Sequence, residues 1–226
     1  MAIAASLLFG SLARADSGEG SDTDILMINL EDVTRHVSIG HLSLFVCPWR
    51  RLEQDAQSGD LFTCHLVKEA KALVDPDDYL GQLQRSFRFR QSYRNEVEQA
   101  SDLGWYLVLF GDELNSALLA KRALWCIRTV LIARSAEQRA PIFAPQELAK
   151  QTRSPPARDL LVRRHHHRDD DSLRQALRVF LETEVPTIPP SIGATKSMFI
   201  KRFAETSNKV ALQTLKQEDE SRVGYL

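Results

Sequence analysis

The sequence predicts an α+β chain in which a small mixed-sheet domain precedes a helical bundle. Three observations predict it. Through residues 1–75, short apolar runs bounded by turn residues alternate with amphipathic stretches. From Asp102 to Arg134 the chain is at its most apolar, with Leu114, Leu118, Leu124, Ile127 and Leu131 at helical spacing. Between the two lies Asp75-Pro76-Asp77-Asp78, a turn. The resulting organisation is a domain over 1–76, a bundle over 77–200 and a polar tail over 201–226, helical or partly disordered.

The elements follow in order. Ala2 to Phe9 is a strand stopped by Gly10-Ser11, where a helix begins. Asp16 to Asp24 is a Gly/Ser/Asp-rich loop, and Asp24 to Leu30 a second strand, apolar on both faces. Val37 to Cys47 reads as a third, with His41, Ser43 and Phe45 on one face. Pro48 ends it. Trp49 to Gln57 is a short helix broken by Ser58-Gly59, and Leu61 to Leu73 an amphipathic helix. Asp78 to Ala100 is polar and helical. Two helices flank Gly111-Asp112. Gln151 to Pro156 is a basic loop, Leu173 to Glu184 a helix, and the prolines from Glu184 to Pro190 break the chain.

Composition sets the class. Hydrophobic residues make up 43% and charged residues 26%, which excludes collagen-like, disulfide-scaffold and wholly disordered chains. Twenty-nine basic and 30 acidic residues leave a net charge of −1, so the whole chain is no basic nucleic-acid coat. Cys47, Cys64 and Cys126 form no CxxC pair, which argues against a disulfide framework or zinc knuckle. A reducing, cytoplasmic compartment is expected. No apolar run reaches the roughly 18 residues of a transmembrane helix, so no membrane association is expected. Met1 to Ala15 has the apolar run of a signal peptide. It lacks a basic residue before the run, and Arg14 occupies the would-be cleavage site, so it is read as a strand and turn.

The chemistry concentrates in Leu7 to Ile28. A glycine at the end of a buried strand lets a phosphate approach the backbone, a helix start offers N–H groups, and Ser11 adds a hydroxyl. Asp22 and Asp24, one residue apart at the start of a strand, put two carboxylates on one face, where hard oxygen ligands hold Mg²⁺. A phosphate-binding turn with paired carboxylates is what nucleotide phosphoryl transfer requires. The bland reading of the same residues is a solvated acidic loop with Asp22 as a cap.

Gly10-Ser11, Ala13-Arg14 and Ser21-Asp22-x-Asp24, flanked by two apolar strands, resemble the signature of the polymerase-beta-like nucleotidyltransferase superfamily. The spacing is most similar to the minimal and antibiotic-modifying members. The resemblance covers residues 1–75. It implies that Gly10, Ser11, Arg14 and Ser21 bind the nucleotide, and that Asp22 and Asp24 are catalytic and hold Mg²⁺ or Mn²⁺. The implied reaction moves a nucleoside monophosphate from an NTP to a hydroxyl on a protein, an RNA end or a small molecule. Such domains often have a helix before the first strand, so a truncated start is an expectation here.

The pattern departs from the family in two places. Ala15 replaces a glycine, a mild change. The third carboxylate expected on the next strand is missing from HLSLFVC, where Ser43 or His41 stands instead. Losing one ligand or base costs on the order of 10³-fold in rate. Glu31, Asp32, Asp112 and Glu113 are the candidate substitutes. The alternative function is therefore a catalytically weak binding module, an antitoxin or defence-system regulator with a protein partner, with oligomerisation open.

Other features have two readings each. Arg85 to Arg94 interleaves arginines with Phe87, Phe89 and Tyr93, either stacking RNA or forming an amphipathic helix. Arg153 to Arg168, with His165-His166-His167, is a basic surface or a nucleic-acid contact, and Arg158 with His165 loosely resembles the ribonuclease motif of HEPN domains. Lys121, Arg122 and Arg128 either contact phosphate or snorkel. His65 reads as core or surface, and the cysteines and tryptophans as packing residues.

Overall fold

A computed structural model describes the chain except for residues 1, 17, 19–20, 164–168, 187–192 and 224–226 and the side chains of 219–223. The triple histidine therefore lies outside the described residues. The chain is α+β and divides into two compact units, Met1–Gln91 with Ser135–Ala144, and Ser92–Arg134 with Pro145–Leu226.

The first unit is built on a five-stranded mixed sheet. Its strands are β1 (Ile3–Phe9), β2 (Thr23–Asn29), β3 (Arg35–Ile39), β4 (Leu42–Pro48) and β5 (Lys71–Val74), in the order β3-β4-β2-β1-β5. Only the β2–β4 pair is parallel. Alternation sends Ala5, Leu7 and Phe9 of β1 and Leu26 and Ile28 of β2 into one core with Leu52, Ala56, Leu66 and Leu83. Complete burial of a side chain such as Leu26 contributes roughly 2–3 kcal/mol.

Short helices close that face. α1 (Gly10–Arg14) follows β1 without a linker. α2 (Trp49–Gln57) starts after Pro48, whose extended backbone (φ −62°, ψ 137°) fits the residue before a helix, and buries Leu52 and Ala56. Gly59 (φ +69°) then turns the chain where a Cβ would collide with the Arg88 carbonyl, so only glycine fits. α3 (Leu61–Glu69) is capped by Asp60, whose carboxylate accepts from the Thr63 N–H at 2.9 Å. α4 (Tyr79–Ser86) is held by Asp75, which accepts from the N–H groups of Tyr79 and Leu80 at 2.8 and 2.9 Å.

Three expectations are corrected. The strand expected over Val37 to Cys47 is a hairpin, because Gly40 (φ +56°) reverses the chain between β3 and β4. The helix expected to reach Leu73 ends at Glu69. Lys71–Val74 is instead drawn out as β5, pairing the free edge of β1. The polar helix expected from Asp78 to Ala100 breaks after Ser86. Phe87 is extended there, its ring edge-on to Phe89 at 5.1 Å. Arg88 and Arg90 donate to the carbonyls of Arg85, Phe87 and Ser58, so these arginines brace backbone.

The second unit is helical. It contains α5 (Arg94–Phe110), a 3-10 turn over Gly111–Glu113, and α6 (Ser116–Glu137), whose last three residues belong to the first unit. There follow α7 (Pro145–Gln151), α8 (Pro155–Val162), α9 (Asp170–Glu184), α10 (Lys196–Glu205) and α11 (Lys209–Val223). Of the core residues expected from spacing, Leu114, Leu118, Ile127 and Leu131 are buried and Leu124 is half-buried. Arg122 is buried and donates to Gln217 at 2.9 Å, while Lys121 is exposed. The basic loop expected over Gln151 to Pro156 is short, because Pro155 starts α8 and Ser154 caps it by accepting from the Ala157 N–H. Arg158 donates to the carbonyls of Ala149 and Thr152, a bracing role. Glu184, almost wholly buried, accepts from Thr152 Oγ1 (2.9 Å), the Arg153 N–H (2.5 Å) and Arg134 Nη1 (2.6 Å). A second buried carboxylate, Glu218, accepts from Tyr106 and Lys196.

Among the described residues no helix is long and apolar enough to cross a membrane.

Candidate functional site

Strand register assembles the site. Phe9 on β1 pairs with Asp24 on β2, Asp24 with Ser43 on β4, and Ser43 with Ser38 on β3. Paired residues share a face, so one row crosses four strands. The next row inward, Leu7–Leu26–Phe45–His36, begins the core. Asp24 therefore stands where the buried face of the sheet gives way to polar groups.

Gly10 leaves β1 at that same level. Its backbone is left-handed (φ +75°), and a Cβ there would overlap Oδ2 of Asp24. A bare stretch of main chain thus lies against a carboxylate. Ser11 is buried, and its carbonyl accepts from the Asp16 N–H at 3.1 Å, which closes the turn after α1 with Ala15 (φ +62°) in left-handed geometry.

Asp22, two residues before Asp24, is exposed and lies 3.5 Å from Nδ1 of His41. Ser21 Oγ accepts from the Gly18 N–H at 3.0 Å, tying the loop between α1 and β2. Gly10 and Asp24 are thus in direct apposition. Asp22 is placed beside Asp24 by the chain, and Ser21 serves the loop.

Arg14 is engaged within the protein. Nε donates to Asp16 at 3.0–3.1 Å, and Nη1 to Oε2 of Glu69 at 2.5 Å. The same Glu69 oxygen lies 2.8 Å from Nε2 of His65, whose ring stacks on Phe143 at 4.4 Å and meets Phe9 edge-on. Burial would lower the Arg14 pKa and raise that of Glu69. Hydrogen bonds and charge win on both sides, holding the guanidinium above and the carboxyl below the usual range. Glu69 and His65 carry a signal in the sequence, an i,i+4 pair on one helix face, but their link to Arg14 spans 55 residues.

Ser38 ends the polar row, and His36, one row further in, reaches back to it. The His36 ring stacks on Phe45 at 4.2 Å, and its Nε2 lies 3.4 Å from Oγ of both Ser43 and Ser38. The position opposite Asp24, where a third acid would stand, is thus filled by a serine in contact with a histidine. Glu31 accepts from the Ala2 N–H. Asp112 and Glu113 belong to the second unit, where they pair with Arg174 and Lys196. Among the described residues no group of three or more His, Cys, Asp or Glu side chains is placed to hold a metal ion. Mg²⁺ commonly binds through one or two carboxylates plus substrate phosphates. Asp22 and Asp24 offer two carboxylates to such an ion and, among the described residues, no third ligand completes a protein-built cage.

Burial pushes the Cys64 thiol up to about 12 and raises those of Cys47 and Cys126, which disfavours the thiolate at all three.

No protein-family model matches the chain, and no curated protein matches it. Among solved structures, a nucleotidyltransferase-like protein from Exiguobacterium sibiricum 255-15 is similar over 95% of this chain and 74% of its own, at 13% identity and a TM-score of 0.32.

Proposed function

We propose that the first unit is a nucleotidyltransferase of the polymerase-beta-like superfamily, which takes a nucleoside monophosphate from an NTP to a hydroxyl acceptor and releases pyrophosphate. The apposition of Gly10 and Asp24 carries this reading. With no side chain at Gly10, the Asp24 carboxylate closes directly on the main chain, so a cation held by that carboxylate stands beside the backbone turn that receives the phosphates. Asp22 and Asp24 would hold Mg²⁺ or Mn²⁺, which when bound neutralises the triphosphate and polarises the phosphorus centre. Gly10 and Ser11 receive the triphosphate. Arg14, tied to Glu69 and Asp16, supports α1 and the turn that follows it. Ser21 closes the loop. The acceptor is a hydroxyl on a protein, an RNA end or a small molecule.

One observation favours a second reading. Ser43, in place of a third acid, removes a metal ligand and a base, so a feeble enzyme acting as a nucleotide-binding antitoxin or defence-system regulator also fits. Incubation with Mg²⁺ and α-labelled NTPs separates the two. Label transfer lost in Asp22→Ala/Asp24→Ala supports the enzyme. Partner binding retained by that variant, with no transfer by either protein, supports the module.

A further inference from the structure

We propose that Ser43 is an internal acceptor: in the presence of an NTP and Mg²⁺ the chain nucleotidylylates its own Ser43, with His36 taking the proton. The inference rests on the nucleotidyltransferase reading and adds a substrate to it.

Ser43 is the direct partner of Asp24 on the adjacent strand, on the same face, and neighbouring strands lie about 4.8 Å apart. If the triphosphate is received on the Gly10 turn beside Asp24, a hydroxyl of the chain itself, that of Ser43, stands on the adjacent strand. That hydroxyl has the environment of an activated nucleophile. Nε2 of His36 is 3.4 Å away, within the looser range of sites without substrate. Two contacts orient the imidazole, the 4.2 Å stack on Phe45 and the second hydroxyl, Ser38, 3.4 Å from the same nitrogen. Ser43 is half-buried and His36 exposed, so neither is sealed from a ligand. An acid at this position would bind metal and accept a proton. A serine with a histidine behind it offers a nucleophile and a separate base.

The step balances. Ser43 Oγ forms a bond to the α-phosphorus as the bond from that phosphorus to the bridging oxygen of the β-phosphate breaks. The bonding pair leaves with pyrophosphate, and the Ser43 proton passes to His36 Nε2. The product is a serine phosphodiester of the nucleoside, standing beside Asp24 and occupying the site that made it.

The full chain is incubated with Mg²⁺ and each of the four NTPs, labelled in parallel at the α- and γ-phosphate, and the protein is mapped by peptide mass. NTP binding is measured separately by calorimetry. The expected result is one nucleoside monophosphate per chain on Ser43, carrying α-label and no γ-label. Ser43→Ala should lose the label while binding Mg-NTP within twofold of wild type. His36→Ala should slow labelling by about 10²-fold or more. Asp24→Ala should abolish labelling and weaken Mg-NTP binding at least tenfold. Wild type that binds Mg-NTP but stays unmodified, or is modified elsewhere (Ser38 included), overturns the internal acceptor and leaves the nucleotidyltransferase reading standing. Labelling that survives Asp24→Ala also overturns it. Absence of any NTP binding by wild type removes the reading and this inference together. Mapping on the wild-type protein needs no variant to fold.

Discussion

Nη1 of Arg14 and Oε2 of Glu69 meet at 2.5 Å, joining the helix that leaves β1 to the last turn of α3. Both side chains are 12% exposed, so the pair is largely withdrawn from water. Removing Glu69 leaves Arg14 with Asp16 alone and takes the carboxylate from His65, which costs more than the pair itself contributes. Glu69→Ala is expected to destabilise the first unit by about 2–4 kcal/mol, read as a shift of the denaturant midpoint. A change below about 0.5 kcal/mol, typical of surface substitutions, would contradict it.

The same pair sets a pH dependence. The Glu69 carboxyl titrates below its ordinary value in the folded chain, because hydrogen bonds from His65 and Arg14 outweigh burial. Its contribution is therefore present above the unfolded carboxyl value of about 4.3 and lost as pH falls through the lower native one. Melting followed from pH 6 downward should show wild type losing stability more steeply than Glu69→Gln below about pH 5. Parallel curves would show that the carboxylate gains nothing from its partners.

Gly10→Ala separates backbone strain from collision. Gly10 and Gly40 both have positive φ, +75° and +56°, but only at Gly10 does an added Cβ strike another group. Gly40→Ala should cost about 1 kcal/mol. Gly10→Ala should cost about 2–3 kcal/mol, because Asp24 must move as well. Equal costs would mean that the Asp24 carboxylate gives way freely.

In the second unit, Glu184 serves three donors while almost completely buried. Glu184→Ala should cost about 3–5 kcal/mol. Arg153→Ala should cost less than about 1 kcal/mol, since that side chain is 75% exposed and 3.8 Å from Glu184. Similar losses for the two would place the strength of the node in the side chain of Arg153.

Local signals carried much of the fold. The strand ending in Gly10, the helix from Trp49 to Gln57 and the break at Gly111 all follow from residues close in sequence. What local signals missed depends on distant partners. Lys71–Val74 continues the apolar pattern of α3, and only the unpaired edge of β1 makes it a strand. Gly40 inside an alternating run hides a reversal that pairing of Arg35–Ile39 with β4 reveals. At the site, the closeness of Gly10 to Asp24 was legible from two apolar strands joined by a short loop. The Asp24–Ser43–Ser38 row was not, because register across three strands is fixed by packing of the Leu26–Phe45 row beneath it. The Arg14–Glu69 link was hidden in the same way.

The apposition of Gly10 and Asp24 is tested most directly by calorimetric titration of wild type and Asp24→Ala with ATP, with and without Mg²⁺. Wild type should bind only with the metal. Asp24→Ala should lose binding at least tenfold, about 1.4 kcal/mol, with its melting temperature held, unlike Leu26→Ala, which should lose about 2–5 kcal/mol of stability. Equal, metal-independent affinity in both proteins would contradict the account.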